Sequence, residues 1–97
     1  MEDKKCWLCL RNGAQDPLDR HHIFPGKNRA LSEKYGLVVW LCHSRCHIGY
    51  GPEGKYAAHK NADTRAALAR YGQLKAMAEN NWSKEDFIHV FGRNYLD

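Results

Sequence analysis

Two close cysteine pairs, Cys6-x-x-Cys9 and Cys42-x-x-x-Cys46, limit the folding of this chain more than any other feature. Each pair is a local chelate. Because about 33 residues separate them, one tetrahedral zinc that takes all four thiolates ties the N-terminus to a distant segment. The first pair has the usual knuckle spacing, and Arg11, Asn12 and Gly13 supply the turn after it, whereas the second pair is one residue longer. His43 and His47 flank that second pair, so either offers a substitute fourth ligand. Free buried thiols and a redox pair at Cys6 and Cys9 are the competing readings. Size favours the metal, since 97 residues bury a modest core and domains this small commonly add a staple. No apolar run approaches the roughly 18 residues of a membrane span, and the start MEDKKCWLC is too polar for a signal peptide. The expected setting is therefore a reducing cytoplasm without membrane contact, where paired cysteines hold metal more often than they form disulfides. A closed four-thiolate site leaves no coordination position for water or substrate, so the zinc is expected to be structural.

The rest of the chain reads as a single α+β domain over 1–97, without repeats, low-complexity tracts or a linker. Residues 17–24 (PLDRHHIF) predict a short strand that stops at Pro25-Gly26, and Leu37 to Leu41 (LVVWL), bounded by Gly36, predict a second. The polar, basic stretch from Lys27 to Tyr35 between them predicts a loop or a short helical turn. Gly49, Gly51, Pro52 and Gly54 break any regular element after Cys46. A helix is expected to begin between Pro52 and Lys55 and to carry His59. A longer one over about 63–80 places Leu68, Tyr71, Leu74 and Ala78 at helical spacing, with Gly72 as a weak point. Ser83-Lys84-Glu85-Asp86 is a capping-box pattern that opens a last short helix, and Gly92 suits its C-terminal cap. Trp7, Trp40, Trp82, Phe87, Phe91 and Tyr95 are expected in the core.

Chemistry concentrates in Asp19-Arg20-His21-His22-Ile23-Phe24-Pro25. Adjacent strand residues point to opposite sides, so two neighbouring histidines serve two different tasks. Metal-assisted phosphodiester hydrolysis has two such tasks: a ligand for a cation that stabilises the pentavalent phosphate, and a general base for the attacking water. His59 is the natural further ligand. A net charge of +4 fits a phosphate-rich partner, although the excess is small. Arg20 and the loop cations Lys27, Arg29 and Lys34 are candidate phosphate contacts. Arg65, Arg70 and Lys75 spread around their helix and read as ordinary surface.

A cysteine pair, a strand end HHIFP, an apolar strand closing in Leu41-Cys42, then Cys46-His47 and His59 together resemble the HNH family of ββα-metal (His-Me finger) endonucleases. Many of these are stiffened by a four-cysteine zinc. The resemblance covers about residues 6–61. The tail over 62–97 is similar to that of small phage-encoded HNH proteins, which share the pattern N-R-x-L-S-E-K-Y-G-L seen from Asn28 to Leu37. That group resembles phage recombination-associated, recombinase-dependent nucleases. The resemblance implies a ββα-metal core with a zinc knuckle, C-terminal helices packed on it, and endonuclease activity on DNA with Mg²⁺ or Mn²⁺. It implies His21 as a metal ligand, His22 as the general base and His59 as a second ligand, with His47 the alternative to His59. The family's asparagine before the second strand is replaced here by Tyr35-Gly36-Leu37, which leaves Asn28 to orient the base. It further implies work on phage or prophage DNA in the bacterial cytoplasm, with a recombinase or phage protein as a further partner. The competing expectation is a zinc-containing DNA-binding or phage interaction module without catalysis.

Overall fold

Strands β1 (Leu18–His22) and β2 (Val38–Cys42) pair in a two-stranded sheet. The backbone bonds from His43 N to Pro17 O and from Ile23 N to Leu37 O bracket the ladder at 2.8 and 3.0 Å, which makes it antiparallel. The same register sets Asp19 opposite Leu41 and His21 opposite Val39. Strand geometry then puts Asp19 and His21 on one face and Arg20 and His22 on the other. The computed structural model describes residues 4–96 and adds helices α1 (Arg29–Lys34), α2 (Ala62–Asn80) and α3 (Lys84–Phe91), with short helical turns at Gly26–Asn28, His43–Ile48 and Pro52–Gly54. The protein is thus α+β. No helix among the described residues is long and apolar enough to cross a membrane.

The chain forms two compact units whose segments interleave: residues 4–21 with 38–65, and residues 22–37 with 66–96. In the first, the backbone doubles back at the knuckle. Leu10 N donates to Cys6 O, Cys6 N donates to Arg11 O, and Leu10 takes a left-handed φ of 66°. Trp7 N then donates to Trp40 O at 2.7 Å and fastens the knuckle to β2. After β2 the chain makes a wide helical turn rather than an α-helix. Its first free N–H groups, those of Ser44 and Arg45, both donate to the buried carboxylate of Asp16 at 3.0 Å.

The helix expected to carry His59 does not form. Pro52–Gly54 is a single tight turn, and His59 lies in an irregular segment before α2. What holds that segment is backbone pairing, from Ala58 N to Cys46 O at 2.8 Å and from His59 N to His47 O at 3.1 Å. Gly49 and Gly54 make the approach possible. A Cβ on Gly54 would meet Gly49 Cα at 2.5 Å, so no larger residue fits there.

In the second unit Phe24 is the centre, with ring centroids 5.0 Å from Phe91, 5.0 Å from Tyr95 and 5.8 Å from Phe87. The buried Ser32 hydroxyl both accepts from Phe24 N and donates to Phe24 O, closing the β1–α1 connection without an unpaired polar group. Helix α3 starts with the expected capping box of Ser83 and Asp86 and ends at Gly92 with φ 89°. Helix α2 departs from expectation. Tyr71 and Leu74 of the apolar stripe are exposed, while Thr64, Leu68, Ala69, Gly72, Gln73 and Ala76 are buried. Small residues on that face bring the helix close. A Cβ on Gly72 would stand 2.8 Å from Ile23 Cγ2 and 2.9 Å from Phe24 Cε2. Gln73, fully buried, donates to Asn94 Oδ1 and accepts from Tyr95 N, and so anchors the C-terminal segment.

Candidate functional site

The knuckle and the turn after β2 bring Cys6, Cys9, Cys42 and Cys46 together, each Sγ within 4.8 Å of the others and Cys9 Sγ 3.5 Å from Cys42 Sγ. Zn–S bonds of about 2.3 Å at tetrahedral angles separate sulfurs by about 3.8 Å, so the four thiols suit zinc. All four are free thiols, and three are buried. Their acidities reflect the crowding. Burial and the neighbouring thiols push Cys42 up to about 12 and raise Cys46 too. At Cys6 burial acts in the same direction, but hydrogen bonds from the backbone of Cys9, Cys42 and Leu8 outweigh it and bring the thiol down to about 7. Four thiolates cannot share this space without a cation to balance them. The four close cysteines could thus hold a structural metal such as zinc, the arrangement that their spacing led one to expect.

A second cluster lies in the same unit. His21 from β1, His47 from the turn after β2 and His59 from the loop before α2 each offer a ring nitrogen, all within 4.8 Å of one another. His47 and His59 approach most closely, with Nε2 to Nε2 at 3.1 Å. Metal–nitrogen bonds of 2.0–2.1 Å at angles of 90–110° separate ligand nitrogens by roughly 2.8–3.4 Å, so the three imidazoles are close enough that they could hold a metal ion. Desolvation, the charge of His47 and then that of Arg65 lower the His59 pKa, which favours the neutral ring that a metal needs. His21 and His59 converge as the sequence suggested, and His47 joins them rather than replacing either.

Asp19 borders this cluster. Its Oδ2 accepts from His43 Nδ1 at 2.7 Å and from His47 Nδ1 at 2.8 Å. Burial works against that carboxylate, but the hydrogen bonds from His47 and His43 and their charge outweigh it and hold Asp19 below its ordinary value.

His22 faces a different set of partners. Its Nε2 lies 2.5 Å from Glu33 Oε2 on α1, with the ring largely shielded and the carboxylate about half exposed. Asn28 does not reach it: the Asn28 amide donates to Phe91 O at 3.1 Å and holds the end of α3. The candidate phosphate contacts Arg20, Lys27, Arg29 and Lys34 are all exposed, the first on β1 and the others between β1 and β2.

No family model, curated protein or solved structure matches this chain. Function therefore rests on the geometry of these side chains. Sequence reasoning singled out the cysteines, His21 and His59, with His47 as the alternative to His59, but missed Asp19 as an acceptor and Glu33 as the partner of His22. The signal for Asp19 was its place two residues before His21 on one strand face. Glu33 carried none, because its contact depends on how α1 folds back.

Proposed function

We propose that the protein is a metal-dependent DNA endonuclease of the HNH type, stiffened by a structural zinc at Cys6, Cys9, Cys42 and Cys46. The observation that supports it most is the convergence of His21, His47 and His59, while His22, the next residue of the chain after His21, pairs with the carboxylate of Glu33. A divalent cation such as Mg²⁺ or Mn²⁺, when held by the three imidazoles, supplies positive charge to the phosphoryl oxygen and to the leaving oxygen. His22 acts as the general base. With Nε2–H donated to Glu33, the neutral ring carries its lone pair on Nδ1, and that atom takes the proton from the attacking water. The adjacent carboxylate stabilises the imidazolium that forms. Arg20, Lys27, Arg29 and Lys34 serve phosphate contacts, which give affinity without sequence preference. Phage or prophage DNA is the proposed substrate, with a recombinase or phage protein as the proposed partner.

Nicking of supercoiled plasmid in Mg²⁺ or Mn²⁺ tests this. The parent is expected to cut, and His22→Ala to lose about 10²–10⁴-fold in rate with zinc content and DNA affinity unchanged. A His22→Ala protein that cuts like the parent overturns the mechanism. A parent that binds DNA but never cuts, with either metal and with a recombinase supplied, leaves a non-catalytic zinc-containing binding module.

A further inference from the structure

His47 has two ring nitrogens engaged in different directions, Nδ1 with Asp19 at 2.8 Å and Nε2 with His59 at 3.1 Å. Asp19 and His43 stand at 2.7 Å, and the same oxygen serves both histidines. Those separations decide what Asp19 does. Ligand atoms sharing one tetrahedral cation with bonds near 2.0–2.2 Å stand roughly 3.3–3.6 Å apart, so 2.7 and 2.8 Å describe hydrogen bonds rather than shared coordination of one metal. An ionised carboxylate can only accept, so Nδ1 of both rings carries the proton. That fixes the tautomer of His47 and leaves the lone pair on Nε2, the atom turned towards His59 and His21.

We infer that Asp19 is a positioning residue for the histidine cluster: it orients His47 so that Nε2 is a ready ligand, while His43 holds the carboxylate from its other side. This rests on the metal reading of His21, His47 and His59 given above, and it assigns His43 and Asp19 roles that the cleavage mechanism does not use. His43 is not one of the three imidazoles of the cluster. Its ring is half exposed, and beyond Asp19 its ring contact is Tyr50, at 6.1 Å between centroids. It serves to aim one carboxylate oxygen. Strand geometry makes the arrangement cheap, because Asp19 and His21 project from the same face of β1, two residues apart.

The test is binding of Co²⁺, used as a spectroscopic divalent probe, to protein whose cysteine site is already loaded with zinc. Parent, Asp19→Ala, Asp19→Asn and His43→Ala are titrated by visible absorption. The ring tautomer of His47 is read from ¹⁵N shifts in the metal-free histidine site. Removing an outer partner of a ligating histidine typically weakens metal affinity 10–100-fold, and Asp19→Ala is expected to show a loss of that order. Asp19→Asn, which keeps a neutral acceptor, is expected to fall between Asp19→Ala and parent, and His43→Ala to lose less than either. His47 should be the Nδ1–H tautomer in the parent and a mixture in Asp19→Ala. Far-UV circular dichroism and retained zinc establish that each variant is folded. A folded Asp19→Ala protein with parental Co²⁺ affinity and an unchanged tautomer overturns the inference while leaving the nuclease reading intact. A weakened Asp19→Ala beside a parent that binds Co²⁺ but cuts nothing supports the inference and overturns the nuclease. A parent in which His21→Ala does not disturb Co²⁺ binding overturns both.

Discussion

A carboxylate against one nitrogen of an imidazole changes what the other nitrogen can do, and this protein uses that pairing at His22–Glu33 and at His47–Asp19. For His22, on the proposed nuclease reading, the consequence is expected in the nicking rate. Glu33→Gln preserves the shape of the side chain but removes the charge that stabilises the imidazolium. A loss of about 10-fold or more in nicking rate is expected, within the 10²–10⁴-fold that a general base contributes in total. Equal rates for parent and Glu33→Gln would exclude the pair from the chemistry. His21, His22 and His59 were legible in the sequence because their chemistry is carried by residue type and by the motif around them. Glu33 and Asp19 were not, because a carboxylate becomes a partner only when separate segments meet: Glu33 is 11 positions from His22, and Asp19 is 28 from His47. Asn28 shows the converse. Its residue type suited the task of orienting His22, but its amide is committed to Phe91 O.

Among the elements, α2 is where pattern and packing part. An apolar stripe at helical spacing placed Leu68, Tyr71 and Leu74 on the buried side, whereas the helix buries Leu68 together with small residues and Gln73 and leaves Tyr71 and Leu74 exposed. Backbone proximity decides this: with Gly72 against Ile23 and Phe24, close approach is worth more than a large side chain. Two effects compete in Gly72→Ala. The substitution improves intrinsic helix propensity by about 1 kcal/mol, and it forces a methyl to within 2.8 Å of Ile23 Cγ2 and 2.9 Å of the Phe24 ring, overpacking that typically costs about 1–3 kcal/mol. Ile23 and Phe24 are themselves buried, and Phe24 is wedged among three further rings, so neither can give way freely. The clash is expected to win, lowering Tm by several degrees in thermal denaturation, whereas an unchanged or higher Tm would mean that the face relaxes. The strands and α3 were legible because alternation, a β-branched run and a capping box are local signals. The segment carrying His59 was not, because its shape comes from pairing with the turn at Cys46–Ile48 and from the contact of Gly49 with Gly54.

For the molecule as a whole, the decisive quantity is how much of its stability comes from the metal. A chain of 97 residues has a total folding free energy of about 5–15 kcal/mol, and a structural zinc in a small domain contributes about 10–16 kcal/mol at neutral pH. The two ranges are of the same size, so loss of the metal is expected to remove most of the stability. In the unit that holds the cysteines, three of the four are buried beside Leu41 and Val39 of β2, and the knuckle is otherwise fastened by a handful of backbone bonds. Without a cation, crowded thiols must stay largely protonated, as the raised Cys42 and Cys46 indicate, and the attraction that closes the cluster is lost. Elemental analysis of protein purified without added metal is expected to give about one tightly bound zinc per chain. A strong chelator at neutral pH should then abolish the near-UV signal of Trp7 and Trp40, and added zinc should restore it. Cys46→Ser should behave as the chelated parent does. The weaker cation proposed at His21, His47 and His59 should leave first, so cleavage should stop at chelator concentrations that still leave the fold intact. A folded sample without zinc, or one whose near-UV spectrum survives complete chelation, would show that the thiols are packed as core and that the hydrophobic contacts of β2 suffice alone.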